Sequence, residues 1–203
     1  MALQEKFSQA QLIGATGFQH PEGVCLGLVA QWLISIKNND EKQFWKDLKG
    51  SLKETPDTPL LGCGYARKAI EFQGEYIVQP SKNLSTGQFT RDQLKGAGHK
   101  FDNAVADAIS AFSAEGLNAI TTRVLNNDCR YFILGIRGDG GHAIGIHREY
   151  KLLGKSTVVK IFDPNLGQYL CDGDVNIRKD LAAIGARYGN HFDVSYLLEG
   201  YGG

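Results

Sequence analysis

One cysteine in the chain stands where a nucleophile could be activated. Cys25 lies near the start of a long apolar run, residues 23–36, and Pro21 precedes that run. Proline at this place favours a helix that begins here, and the unpaired N–H groups and the dipole of a first turn stabilise a thiolate. Gly23 and Gly27 on either side leave room for a substrate backbone. We therefore predict that Cys25 is a catalytic nucleophile at the start of a buried helix.

A histidine and an aspartate near the end of the chain could complete this chemistry. His142 opens an alternating strand, residues 142–147, directly after two glycines, and Asp163 closes the next strand, residues 157–163. Short connections favour antiparallel pairing, which brings the start of one strand beside the end of its neighbour. A carboxylate there can accept a hydrogen bond from the imidazole and orient it. We therefore predict that His142 is the general base and that Asp163 orients it.

Acyl transfer to a thiol also creates an oxyanion, which needs hydrogen-bond donors. The backbone N–H of Cys25 is one candidate, because it lies at the start of the predicted helix. The side-chain amide of Gln19, a few residues upstream, is the other candidate. The predicted oxyanion hole therefore consists of Gln19 and Cys25.

The composition is that of a globular protein, and its charges do not indicate a strongly charged binding partner. The chain of 203 residues carries 22 basic and 22 acidic residues, and 42% of its residues are hydrophobic. No run of like charges predicts binding to nucleic acid or to an anionic membrane. No window reaches the roughly 20 apolar residues that span a bilayer, and no Sec signal peptide is seen. We expect no nucleic-acid partner and no membrane span, and we expect a monomer.

The four cysteines do not form the pattern of a metal site or a disulfide framework. Cys25, Cys63, Cys129 and Cys171 are widely spaced, and no pair has CxxC spacing. A zinc site and a small disulfide scaffold are therefore disfavoured. We expect no metal and no cofactor, and we interpret the three cysteines other than Cys25 as free, buried residues.

The order of the predicted elements indicates an α+β fold. We interpret residues 1–203 as a single domain, in which residues 1–125 are mostly helical and residues 126–203 are rich in strands. One of the predicted helices covers residues 101–114. It rests on a stripe at helical spacing that consists of Val105, Ile109 and Phe112.

Three short blocks of this sequence resemble the YopT/AvrPphB family of papain-like cysteine proteases. They are residues 23–28 with Trp32 downstream, residues 140–144 and residues 162–165. The resemblance implies a papain-like cysteine protease fold, in which a helical part packs on a twisted antiparallel β-sheet with the active site between them. It also implies a secreted bacterial effector or toxin that cuts a protein substrate in the cytoplasm of a target cell.

The same residues support more than one function. The leading prediction is a cysteine endopeptidase that forms a thioacyl-enzyme intermediate. A Cys-His-Asp triad also supports glutamine deamidation or transglutamination, because all these reactions attack an amide carbonyl. A binding module on a degenerate protease fold is disfavoured, because all three catalytic roles are filled. Beside the protein substrate, an immunity or chaperone protein is a partner class that the sequence leaves open.

Overall fold

The computed structural model covers most of the 203-residue chain. The residues that it describes are 2–16, 23–52, 64–82, 86–152, 154–192 and 195–202. Gln19 and Cys63 lie outside these ranges, so the roles assigned to them above remain predictions.

Seven α-helices lie within these ranges. They are α1 (Gln9–Thr16), α2 (Cys25–Lys37), α3 (Glu41–Ser51), α4 (Gly64–Val78), α5 (Thr86–Gly96), α6 (Ala114–Asn126) and α7 (Asp174–Tyr188). Short 3-10 turns follow α4 at Pro80–Lys82 and α7 at Gly189–Phe192. No helix in the described ranges is long and apolar enough to cross a membrane.

Seven strands form one sheet in the described part of the chain. They are β1 (Ala2–Lys6), β2 (Lys100–Asp107), β3 (Tyr131–Arg137), β4 (Gly141–Arg148), β5 (Val158–Asp163), β6 (Gly167–Asp172) and β7 (Ser195–Gly202). Their order across the sheet is β1-β6-β5-β4-β3-β7-β2. Every neighbouring pair is antiparallel, as the short turns between β3 and β4 and between β5 and β6 predict.

Helix α2 runs through the middle of the fold because its surface is apolar on nearly every side. Most of its 13 residues are buried: Cys25, Gly27, Leu28, Val29, Ala30, Gln31, Trp32, Leu33 and Ser35. The indole N–H of Trp32 donates to Gln168 Oε1 at 2.7 Å, so the polar atom of this buried ring has a partner. The prediction of a buried helix with Cys25 in its first turn is confirmed.

Helices cover both faces of the sheet. Successive residues of a strand point to opposite faces. Tyr131 and Ile133 of β3 therefore pack in one core with helices α1 to α5, whereas Phe132 and Leu134 pack in a second core with α6 and α7. The α+β prediction is confirmed, and the helical part packs on the sheet with α2 against β4.

The two edges of the sheet differ from the prediction. The helix predicted for residues 101–114 is wrong, because residues 100–107 form strand β2, which pairs with β7. At the other edge, β1 pairs with β6. Both edge strands thus come from the part of the chain that was predicted to be mostly helical. The next helix, α6, begins at Ala114, where the hydroxyl of Ser113 caps it by accepting from the N–H of Gly116.

Candidate active site

Cys25 is the first residue of α2, and only 6% of its surface is exposed. The first turn of a helix leaves N–H groups without intrahelical partners. Two of these groups are satisfied by side-chain amides: the N–H of Val24 donates to Gln9 Oε1 at 2.9 Å, and that of Gly27 donates to Gln73 Oε1 at 3.1 Å. The N–H of Cys25 has no acceptor among the described residues. Within the described part of the chain, this N–H is therefore a donor without an acceptor directly beside the thiol.

The two glycines around Cys25 allow the chain to pack closely on itself. Gly23 has a φ of +68°, which side chains rarely adopt, and a Cβ atom there would lie 2.9 Å from Gln9 Oε1. At Gly27, a Cβ atom would lie 2.0 Å from the carbonyl oxygen of Ala69 in α4. From the sequence, both glycines were expected to leave room for a substrate backbone. In the structure, the protein's own atoms occupy that space.

His142 and Asp163 meet at one end of β4 and β5, just beyond the residues that pair between these strands. The two strands pair antiparallel, and His142 Nε2 lies 3.2 Å from Asp163 Oδ1. Their side chains are 3% and 0% exposed. The side chain of Cys25 lies close enough to the imidazole to raise its pKa, and both residues line the same cleft. The structure thus brings together Cys25, His142 and Asp163, three residues that lie far apart in the sequence.

The protonation of His142 is set by its two partners. Burial acts to lower the pKa of the imidazole, but the hydrogen bonds to Asp163 and Cys25, together with the negative charge of both groups, outweigh it and raise the pKa to about 9. Because Asp163 and Tyr188 contact Nε2, Nδ1 is the ring nitrogen left for the thiol. An imidazolium at neutral pH is the partner that favours a thiolate.

Tyr188, the last residue of α7, is a site residue that the sequence did not indicate. Its hydroxyl lies 2.7 Å from Asp163 Oδ2, 2.8 Å from Oδ1 and 3.0 Å from His142 Nε2. Burial and then the charge of Asp163 raise the pKa of the phenol, so the hydroxyl keeps its proton and donates to the carboxylate. The N–H of Asn165 donates to Oδ1 at 2.8 Å. The buried carboxylate is therefore well supplied with donors.

Gln9 connects the nucleophile to the loop after β5. Its Oε1 accepts from the N–H of Val24, while its Nε2 donates to Asn165 Oδ1 at 2.8 Å. The backbone N–H of Gln9 also donates to the carbonyl oxygen of Pro164 at 2.7 Å. One side chain at the start of α1 thus ties the residue before Cys25 to the segment that follows Asp163.

A cleft of about 930 Å³ opens beside the three residues. Leu26, Gln73 and Tyr76 line it on the side of the helices, and Cys25 and His142 face it. The opposite wall comes from β3, from the β3–β4 turn and from the end of α7. An extended peptide can enter such an open cleft with its backbone next to Cys25.

The other described cysteines are not placed for chemistry. Cys129 and Cys171 are free and buried, as the sequence predicts. Burial and then a hydrogen bond to Asp102 raise the pKa of Cys129 to about 12, and burial and Asp180 raise that of Cys171. Both thiols therefore stay protonated at neutral pH. No cluster of three or more His, Cys, Asp or Glu side chains that could hold a metal ion occurs among the residues that the structure describes.

Several solved structures are similar to this chain, including the following two. One is the Pseudomonas avirulence protein AvrPphB, with 18% sequence identity, a TM-score of 0.59, and 88% of this chain and 90% of that chain covered. The other is the ubiquitin-specific protease of the murine cytomegalovirus tegument protein M48, with 12% identity, a TM-score of 0.55, and 98% and 84% covered. No match was found among curated proteins. At these identities the likeness shows the fold, which is that of papain-like cysteine proteases.

The family model of Peptidase_C58, described as the Yersinia/Haemophilus virulence surface antigen, matches residues 1–190. This match covers nearly the whole chain and includes Cys25, His142 and Asp163. It confirms the resemblance that the three short sequence blocks indicated. The chain belongs to the Peptidase_C58 family, a family of virulence-associated, papain-like cysteine proteases.

Proposed function

We propose that this protein is a cysteine endopeptidase with Cys25 as nucleophile, His142 as general base and acid, and Asp163 as the residue that orients the imidazole. The observation that carries the proposal is that one buried imidazole is hydrogen-bonded to a carboxylate and lies on the same cleft as a thiol at a helix start, close enough for that thiol to raise its pKa. A nucleophile, a base and an orienting group in hydrogen-bonding reach are what thiol catalysis requires.

The first half of the reaction forms a thioester. With the thiol proton already on His142 Nδ1, the Cys25 thiolate attacks the carbonyl carbon of the substrate amide, whose C=O π-electrons move to oxygen. The N–H of Cys25, which has no acceptor among the described residues, stabilises the resulting oxyanion. The imidazolium then gives its proton to the leaving amine as the C–N bond breaks. A thioacyl-enzyme intermediate and a new N-terminus result.

The second half of the reaction releases the acid. Water attacks the thioester carbonyl while His142 accepts one of its protons, and the C–S bond breaks. Asp163 accepts hydrogen bonds from Tyr188 and Asn165, and it stabilises each imidazolium that forms. Gln19 remains the predicted side-chain donor of the oxyanion hole, alongside Cys25.

The setting of the reaction follows from the family. We infer a secreted bacterial effector or toxin that acts as a monomer on a protein substrate in the cytoplasm of a target cell. The virulence-associated family supports this setting. An immunity or chaperone protein is the further partner that we would search for by purifying the protein from the cell that produces it.

The decisive experiment compares new protein N-termini in a target-cell lysate treated with the wild-type protein or with the Cys25→Ala variant. The wild type is expected to create a small set of N-termini that the variant does not create. The same set from both proteins would refute the mechanism. A matched control is Cys129→Ala, which removes a buried thiol outside the cleft and is expected to cleave like the wild type.

The same lysate separates cleavage from the alternative amide chemistry. If the triad deamidates or transamidates glutamine, intact targets change their mass or become cross-linked and no new N-termini arise. That result, lost in Cys25→Ala, would replace the endopeptidase proposal with a deamidase or transglutaminase one. Unchanged biological effect of Cys25→Ala would support a binding module instead.

A further inference from the structure

Only the oxygen of the Gln73 side-chain amide has a hydrogen-bond partner among the described residues. Gln73 is 2% exposed and belongs to the buried face of α4. Its Oε1 accepts from the N–H of Gly27 in the first turn of α2. That N–H can only donate, so the atom that faces it must be the oxygen, and the orientation of the amide is fixed by chemistry. The Nε2 group, which carries the two N–H protons of the amide, must therefore point away from the N–H of Gly27.

The close contact between α2 and α4 determines where Gln73 stands. Gly27 packs against the carbonyl oxygen of Ala69 with no space for a Cβ atom. Residues four apart lie on the same face of a helix, one turn on. Gln73 therefore follows Ala69 along the contact and reaches the start of α2, where it lines the cleft together with Cys25.

The Nε2 group has no acceptor inside the described part of the protein. No residue that the structure describes accepts a hydrogen bond from it. Nε2 is not one of the fully buried polar atoms that lack a partner in the described part of the chain, so its N–H groups are accessible from the cleft that Gln73 lines. A residue that served only as a helix cap would need the oxygen alone. A residue that lines the cleft beside the nucleophile can satisfy this donor with a substrate atom.

We propose that Gln73 is a substrate-contacting residue, whose Nε2–H donates to a main-chain carbonyl oxygen of the peptide bound beside Cys25 while Oε1 stays on the N–H of Gly27. This inference rests on the proposed function, because it needs a peptide-like ligand at Cys25. Main-chain carbonyls are the acceptors that every peptide offers, so the contact positions the substrate backbone whatever its side chains are.

The test compares two reagents that both alkylate Cys25. Iodoacetamide is too small to reach along the cleft, whereas an epoxide of the E-64 type carries a peptide-like chain with carbonyl groups. The variant Gln73→Glu keeps an oxygen for the N–H of Gly27 and loses the donor. Rates are compared at the pH where each protein's reaction with iodoacetamide has levelled off, so that a shift in thiol ionisation does not enter.

We expect the second-order rate constant for the epoxide to fall roughly tenfold or more in Gln73→Glu, the loss of about one hydrogen bond, with the iodoacetamide rate within about twofold of wild type. Gln79→Glu is the matched control, because Gln79 is also buried near the end of α4 but is bonded to the carbonyl oxygen of Glu75. It is expected to leave the ratio of the two rates unchanged.

Two outcomes would overturn the inference. Equal rate ratios in Gln73→Glu and wild type would show that Gln73 is only a cap, as would a parallel fall of both rates. If the wild-type protein reacts with iodoacetamide but not with the epoxide, no peptide-like chain is bound beside Cys25. The failure of the proposed function itself is seen separately, as an unchanged lysate with the wild-type protein.

Discussion

Lowering the pH from 7 to 5 is expected to destabilise the folded protein through two buried histidines, His99 and His147. Both are nearly inaccessible, at 1% and 5% exposure. Burial, followed by Lys37, lowers the pKa of His99 to about 4. Burial, followed by the charges of Arg130 and Lys160, lowers that of His147 to about 3. Below pH 6.5 the two histidines are therefore protonated in the unfolded chain but stay neutral in the folded protein. The free energy of unfolding then decreases as the pH falls.

The size of the effect follows from the two pKa values. Each pH unit below 6.5 costs about 1.4 kcal/mol for each histidine, until the folded pKa is reached. At pH 5 the loss is about 2 kcal/mol for each residue, or about 4 kcal/mol for both, within a total stability of typically 5–15 kcal/mol. His142 does not add to this loss, because its pKa is higher in the folded state, so the stability that its protonation contributes is greater at pH 5 than at pH 7.

The assay is urea unfolding at pH 7 and at pH 5, followed by tryptophan fluorescence. The double variant His99→Phe/His147→Phe cannot take up these protons, so its stability should fall by about 4 kcal/mol less than that of the wild type. His191→Gln is the control, because the His191 side chain is 74% exposed. If wild type, double variant and control lose the same free energy between the two pH values, the reasoning is wrong.

Three further results are expected. Tyr188→Phe should lower kcat/KM by about tenfold to a hundredfold, because Asp163 loses a donor worth about 1.5–3 kcal/mol, and unchanged kinetics would contradict this role. Gly27→Ala should lower the melting temperature by several degrees, because the added Cβ atom would lie 2.0 Å from the carbonyl oxygen of Ala69. Overpacking of this kind typically costs about 1–3 kcal/mol. An unshifted melting curve would contradict this prediction. Peptide cleavage should slow as the pH rises through about 9, because His142 then loses the proton that it gives to the leaving amine. The stability that protonated His142 contributes below pH 6.5 should be lost over the same rise. A rate of peptide cleavage that stays constant through pH 9 would contradict this.

The sequence predicts the parts of the site that depend on local pattern. Strict alternation marks β4, an aspartate marks the end of β5, and a short connection implies that the two strands are antiparallel. His142 and Asp163 could therefore be placed side by side without coordinates. Cys25 could be placed at a helix start for a similar local reason, an apolar run preceded by a proline.

The parts that depend on distant contacts were missed. Residues 101–114 carry apolar positions at helical spacing, yet 100–107 form an edge strand because β7, at the end of the chain, offers a partner. The hydrophobic signal of β2 is weak, since all eight of its residues are exposed or only partly buried. Tyr188, Gln9 and Gln73 carry no local signal, because each acquires its role only when another segment brings the acceptor or donor to it.

The link made by Gln9 has a consequence for the order of assembly. Gln9 and Asn165 are 156 positions apart in the chain, and contacts that close such long loops form slowly because the entropy of closure must be overcome first. Helical signal should therefore return early when the protein is diluted out of denaturant, while rapid alkylation of Cys25 returns late. The rate of Cys25 alkylation, measured during refolding, would therefore report when the last step of folding is complete.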